Sequence, residues 1–330
     1  MKAILPRLLT VLAAALLFSS CQKEEKAYPV PPKGNALNAQ VSIGEDYETQ
    51  VYFSLTSGQV ASNKYRDWDL AFTTGAENSE LWMNGGKGTL IYASGKTDFA
   101  AAIDKNTIPG NAWLYDNPSG LSGASGLGLL QDKGHIGEVL VVNDGEGNLY
   151  KVQVTSASAT EYKLQVAPLA ATTGTAVTLT KDDKYNHVYY SFAKGAIQVE
   201  PLKTDWDFLF TRYRHVYYKY NPDGSDMLYA VNGVLTNPYK TVAGDDSTKS
   251  YDFNAFSKAD AESFTLYPNV DVIGFDWKQV NINTSQYTVN PKAVFVVKDQ
   301  KDVLWKIHFV SFNDAQGKKG NPQFEYQNFN

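Results

Sequence analysis

Residues 139–154 read VLVVNDGEGNLYKVQV, and residues 294–309 read VFVVKDQKDVLWKIHF. The two stretches align without a gap. Val139, Val141, Val142, Asp144, Leu149 and Lys151 recur as Val294, Val296, Val297, Asp299, Leu304 and Lys306. Each stretch is a β-branched run, a polar interruption and a second apolar run. Asp144-Gly145 in the first is a hairpin signal. Two more matches lie upstream in the same order. VYFS at 51–54 returns as VYYS at 188–191, and DWDLAFT at 67–73 returns as DWDFLFT at 205–211. Three matches in one order mark a duplication, with tandem units at 36–170 and 174–330.

Each unit reads as antiparallel β structure. In residues 68–72 the large side chains alternate, so Trp68, Leu70 and Phe72 are expected on one core-facing side. Trp206, Phe208 and Phe210 repeat the pattern. Residues 213–220 continue as a strand, Asn221-Pro222-Asp223-Gly224 turns it, and 227–231 returns. A four-residue turn pairs Tyr218 with Met227, which places Met227 with Val216 and sends His215 to the opposite face. Only 253–262 looks helical. The Gly- and Ser-rich 115–134 reads as a long surface loop. The expected fold class is mostly β, two tandem antiparallel β-sheet units with few short helices.

The chain has 330 residues, 43% hydrophobic and 20% charged, which excludes wholesale disorder. A single Cys excludes a disulfide framework or a thiolate cluster. A net charge of −5 argues against a nucleic-acid partner. Lys2 and Arg7 precede an apolar run at 8–18 that is too short to span a bilayer and suits a secretory signal. It ends in Leu17-Phe18-Ser19-Ser20-Cys21, which resembles the lipobox of bacterial lipoproteins. Residues 1–20 are then a signal peptide and Cys21 the lipidated first residue. Residues 21–35, which open on Gln22-Lys23-Glu24-Glu25-Lys26, a stretch that resembles the export signal of surface lipoproteins, and carry Pro29, Pro31 and Pro32, are expected to form a flexible tether. The membrane is engaged through the lipid anchor only, at an outer membrane and facing the cell exterior.

The framework also resembles a known family. Tyr47-Glu48-Thr49-Gln50-Val51-Tyr52-Phe53-Ser54-Leu55 is similar to the opening strand of the HmuY family of haem-binding lipoproteins. Trp206-Asp207-Phe208-Leu209-Phe210-Thr211-Arg212-Tyr213 resembles the strand that follows. The run from Ala293 to Phe309, with Lys318-Lys319-Gly320 and Phe324-Glu325-Tyr326, resembles the closing strands. The resemblance implies a mostly β fold, haem as cargo taken free or from a haem-carrying protein, and delivery to an outer-membrane receptor. Haem-binding members hold the iron between two axial His or Met side chains in a variable region before the closing strands. In the second unit that region, 239–290, contains no His, Met or Cys. In the first it holds His135 alone.

The remaining candidates for axial ligands are His215, Met83 and Met227, beside His135. His308 reads as an outward-facing strand residue and His187 as a solvated one. An alternative reading is a non-haem structural or interaction lipoprotein that kept the β framework, using the Tyr-rich 213–220 strand. Enzyme motifs are missing: no nucleophile elbow, no His-Glu-x-x-His and no phosphate-binding loop. Asp69 and Asp207, each after a Trp, read as turn or backbone-bonding residues. No metal site is expected.

Overall fold

The computed structural model describes residues 36–246, 248, 250–284 and 286–329. The expected signal peptide 1–20, the tether 21–35 and Cys21 lie outside the described residues. Among the described residues no helix is long and apolar enough to cross a membrane.

The strands of the first half are β1 (Leu37–Gln40), β2 (Thr49–Ser54), β3 (Gly58–Lys64), β4 (Leu70–Thr73) and β5 (Leu81–Met83). They continue as β6 (Leu90–Ala93), β7 (Val139–Asn143), β8 (Leu149–Ala157) and β9 (Glu161–Pro168). The second half opens with β10 (Thr175–Thr180), β11 (His187–Ser191), β12 (Gly195–Ile197), β13 (Phe208–Tyr217), β14 (Met227–Thr236) and β15 (Val242–Asp245). The short helix α1 (Lys258–Glu262) follows, capped by Ser257 and Asp260 in a reciprocal capping box. The chain closes with β16 (Lys278–Asn281), β17 (Gln286–Val289), β18 (Val294–Lys298), β19 (Leu304–Asn313) and β20 (Lys319–Asn328). The mostly β class is as expected.

The duplicated pieces occupy equivalent places, but they are exchanged. Two five-stranded sheets run β10-β9-β8-β7-β6 and β1-β20-β19-β18-β15. Two four-stranded sheets run β12-β11-β4-β5 and β14-β13-β2-β3. The β11–β12 hairpin of the second unit thus pairs with β4 of the first, Val188 opposite Phe72. The β2–β3 hairpin of the first unit pairs with β13 of the second, Phe53 opposite Phe208. β10 lies on β9, and β1 lies on β20. Two sandwiches result. One core joins Leu70, Phe72, Leu81, Val142, Val152, Tyr162 and Tyr190. The other joins Val51, Phe53, Phe208, Phe210, Phe295, Phe309 and Phe324. Each core draws on both sequence units, and Lys33–Asn330 is one compact unit. It carries every described strand and both cores, so it holds together without the residues before it.

The recurrent polar residues stitch the exchange. Asp69 accepts the backbone N–H of Phe192 at 2.7 Å, and Asp207 accepts that of Leu55 at 2.7 Å. Each carboxylate thereby ties one unit's tryptophan turn to the other unit's hairpin, the backbone-bonding role expected of it. Lys151 is buried and donates to the carbonyls of Phe99, Ala101 and Ala171, and Lys306 does the same with Phe253 and Phe256. These ammonium groups explain why a lysine recurs inside a strand: each satisfies several loop carbonyls that burial would otherwise strand.

Several expectations need correction. Trp68 does not share the core face of Leu70 and Phe72, because a 3-10 turn at Tyr65–Asp67 precedes it and β4 begins only at Leu70. Trp68 packs instead with Ala71 and Tyr189 on the opposite face. The segment 115–134 is not a simple surface loop, since Leu127 and Leu130 enter the first core. His308 does not point outward. It is buried, stacked on Phe253 at 4.2 Å, and its ring nitrogens meet the Pro291 carbonyl at 3.0 Å and Glu325 at 2.9 Å.

Candidate ligand-binding cleft

Alternation along each strand decides what lines the space between the two four-stranded sheets. On β2, Val51 and Phe53 enter the second core, so Tyr52 turns the other way. Leu209 on β13 and Leu235 on β14 sit in register with it. On the facing sheet, Leu70 and Phe72 take the first core, which leaves Ala71 to the gap, with Tyr189 and Trp82 as its cross-strand neighbours. The gap is a cleft of about 500 Å³. That size is within the usual range for small-molecule sites.

The duplication gives the cleft a pseudo-twofold design. Trp206 meets Tyr52 edge-on at 5.1 Å, and Trp68 meets Tyr189 edge-on at 5.3 Å. Each tryptophan turn is pinned by an asparagine. Asn84 donates to the Tyr65 and Trp68 carbonyls, and Asn237 donates to those of Lys203 and Trp206. The indole N–H groups of Trp82 and Trp206 are buried and have no hydrogen-bond partner. Buried donors are nearly always paired, so two unpaired ones in a single aromatic cleft call for an acceptor.

The polar groups of the cleft are few and perturbed. Glu200 is buried and accepts the His187 backbone N–H at 2.7 Å and the Asn186 amide at 3.1 Å. Burial pushes its carboxyl up to about 7. His187 lines the cleft half-buried against Tyr189, and burial lowers its imidazole to about 4. It is a neutral nitrogen donor, not the solvated residue expected. Tyr52 and Tyr189 are both raised well above their ordinary value by burial.

The sequence-derived ligand candidates are dispersed. Met83 borders the cleft, yet its side chain belongs to the first core and abuts Gly126. His135 lies outside the cleft, with Nδ1 at 2.6 Å from Glu138. His215 and Met227 are on the β13–β14 hairpin, where Tyr217, not Tyr218, pairs with Met227, and His215 pairs with Tyr229. The register differs from the expected one by a residue because Lys219 takes a left-handed φ of 54° and donates its N–H to Asp226 at 2.7 Å. His215 and Met227 therefore share a face, contrary to the expected opposition. That face is half-buried, and the His215 ring packs against Tyr217 at 4.6 Å and Phe275 at 5.1 Å. Two donors on one side of a hairpin cannot approach an iron from opposite sides. Among the described residues no group of three His, Cys, Asp or Glu side chains gathers as a metal site. The sequence reading missed His187, Glu200 and Trp82. Only His187 carried a sequence signal, since it directly precedes the repeated 188–191 stretch; Trp82 and Glu200 reach the cleft through pairing, Trp82 beside Ala71 and Glu200 beneath the His187 N–H.

Residues 46–167 and 183–326 each match the family model described as HmuY protein. No curated protein matches the chain. Among solved structures, the apo HmuY analogue of Tannerella forsythia is similar at 12% identity. That likeness covers 89% of this chain and 95% of the other, with a TM-score of 0.33. Apo PinO from Porphyromonas gingivitis is similar at 11% identity over 90% and 99% of the chains, with a TM-score of 0.29.

Proposed function

Because this chain belongs to the HmuY family, we propose that it captures a flat tetrapyrrole, haem or a close relative, in the cleft between its four-stranded sheets. The carrying observation is the cleft itself: its walls are tryptophan and tyrosine, and two of the wall tryptophans, Trp82 and Trp206, carry buried indole N–H groups with no hydrogen-bond partner. Aromatic walls stack on a planar ring, and the indoles supply edge hydrogen bonds. The cargo's iron finds one strong donor here, His187. Met83 is no second one: it lies two strands away and on the core side of the sheet. Ring stacking, not a pair of axial ligands, holds the cargo. His135, His215, Met83 and Met227 then carry no iron.

Around this cleft we place the remaining biology. The units 36–170 and 174–330 arose by duplication, Cys21 carries the lipid, and the protein sits at the outer membrane facing outward, passing its cargo to a receptor. The chain acts by binding and is not an enzyme. The test uses residues 33–330 with haemin and with iron-free protoporphyrin, followed by tryptophan quenching and by absorbance. Saturable quenching by both ligands is expected, without sharp reduced α and β bands. A sharp bis-ligated spectrum would refute stacking as the main hold, and no quenching by either ligand would refute the tetrapyrrole reading.

A second reading has one observation in its favour. The tip of the β13–β14 hairpin exposes Tyr218 at 56%, Tyr220 at 64% and Tyr229 at 38%. Such clustered exposed rings suit a protein partner. Under this reading the chain is an interaction lipoprotein, and porphyrin binding is absent while pull-down depends on those tyrosines.

A further inference from the structure

A smaller hollow of about 170 Å³ adjoins the cleft and shares Trp68, Trp82, Leu209 and Leu235 with it. Its own lining includes Arg214 and Asp116. Arg214 is only 7% exposed. Its Nη2 donates to the Thr89 carbonyl at 2.8 Å, and its Nη1 has no hydrogen-bond partner. Among the described residues its guanidinium makes no ion pair. The backbone around it is closely fitted. A Cβ on Gly85 would lie 2.8 Å from the Arg214 Cβ, so the turn after β5 presses directly onto β13 and closes that side.

The nearest carboxyl does not serve as a full counter-charge. Asp116 spends its oxygens on the backbone N–H groups of Met83 at 2.6 Å and Gly126 at 2.7 Å. Burial pushes it up to about 7, so near neutral pH it carries only part of a charge. A guanidinium taken out of water with an idle N–H is costly unless an anion joins it.

We propose that Arg214 is the anchor for a carboxylate carried by the ligand of the cleft. The inference rests on the cleft being the binding site, and it narrows the ligand to a flat ring with an acidic arm. The ring lies against the tryptophans, and the arm enters the hollow to meet Nη1 of Arg214. A carboxylate there supplies the missing acceptor and the missing charge together.

The test compares protoporphyrin with its dimethyl ester on residues 33–330, read by tryptophan quenching. The acid is expected to bind roughly tenfold tighter than the ester, the scale of one charged hydrogen bond. Arg214→Gln should bring the two affinities within about twofold, mainly by weakening the acid. Equal binding of acid and ester to the unaltered protein would overturn the anchor and leave the cleft reading intact. That comparison stands even if the variant does not fold. Retention of the acid preference in a folded Arg214→Gln would overturn it too. Binding of neither porphyrin would remove the cleft reading, and the anchor with it.

Discussion

Replacing Glu200 by Gln isolates the electrostatic cost of the cleft. Glu200 is 3% exposed, and its carboxyl rises from 4.5 to about 7. Burial is the main cause, opposed by hydrogen bonds from the His187 N–H and from Asn186. In the unfolded chain the same carboxyl titrates in the ordinary range. Between pH of about 4.5 and about 7 the folded protein therefore holds a proton that the unfolded chain has lost. Stability is greatest below that window, falls as pH rises through it, and levels off above it. At about 1.36 kcal/mol per pH unit the accumulated loss is about 3 kcal/mol. Gln has no proton to lose, so the variant's stability profile should be flatter by about that amount. The amide also presents an N–H to the Asn186 donor, a mismatch that shifts the whole profile equally and cancels from the slope. Asp116 and Asp207, raised to about 7 and about 6, are present in both proteins and cancel as well. Urea unfolding followed by tryptophan fluorescence, repeated across that pH range at constant ionic strength, measures the two profiles. Parallel profiles for wild type and Glu200→Gln would refute the argument, since the carboxyl would then not be titrating where burial places it.

Three further outcomes are expected. Gly86→Ala should cost about 1–3 kcal/mol by thermal melting, because a Cβ there would run into the Arg212 carbonyl. Gly75→Ala, where a Cβ meets nothing within 4 Å, should stay within about 0.5 kcal/mol and serves as the control. Asp69→Ala should destabilise by about 3–5 kcal/mol and Asp207→Ala by less, although the positions are equivalent. Asp69 also pairs with Lys87, whose side chain is 5% exposed and would be left with only Glu146, at 3.5 Å and 41% exposed, as counter-charge. His308→Ala should lower stability by about 2–4 kcal/mol while leaving porphyrin quenching unchanged, since its ring is committed to Phe253, Pro291 and Glu325. Lost quenching in a folded His308→Ala would place that residue in binding after all.

Much of this protein is local, and what is local could be read from the chain. The hairpin at Asp144-Gly145, the closing strands 294–298 and 304–313, the helix near 253–262 and the role of Asp69 and Asp207 all rest on neighbours in sequence or on a repeated pattern. The family likeness follows from the same framework residues.

The site was less legible, for a physical reason. Period-2 alternation says which residues share a face but not which face is core when a turn intervenes, and the 3-10 turn at Tyr65–Asp67 inverted the reading of Trp68. A left-handed Lys219 shifted a hairpin by one residue and moved Met227 onto the face of His215. The candidate ligands were chosen by residue type, whereas the cleft selects by position. The sequence by itself determined the duplication, the β class and the repeated closing hairpins, because each is written in spacings of a few residues. Only the tertiary structure decided that the hairpins cross between the repeats, with Tyr52 coming to rest on Trp206 and Tyr189 on Trp68. Pairing a strand with its own unit or with its copy satisfies the same hydrogen bonds and the same alternation. The choice is made by packing across more than a hundred residues of chain, and the cleft exists because of it.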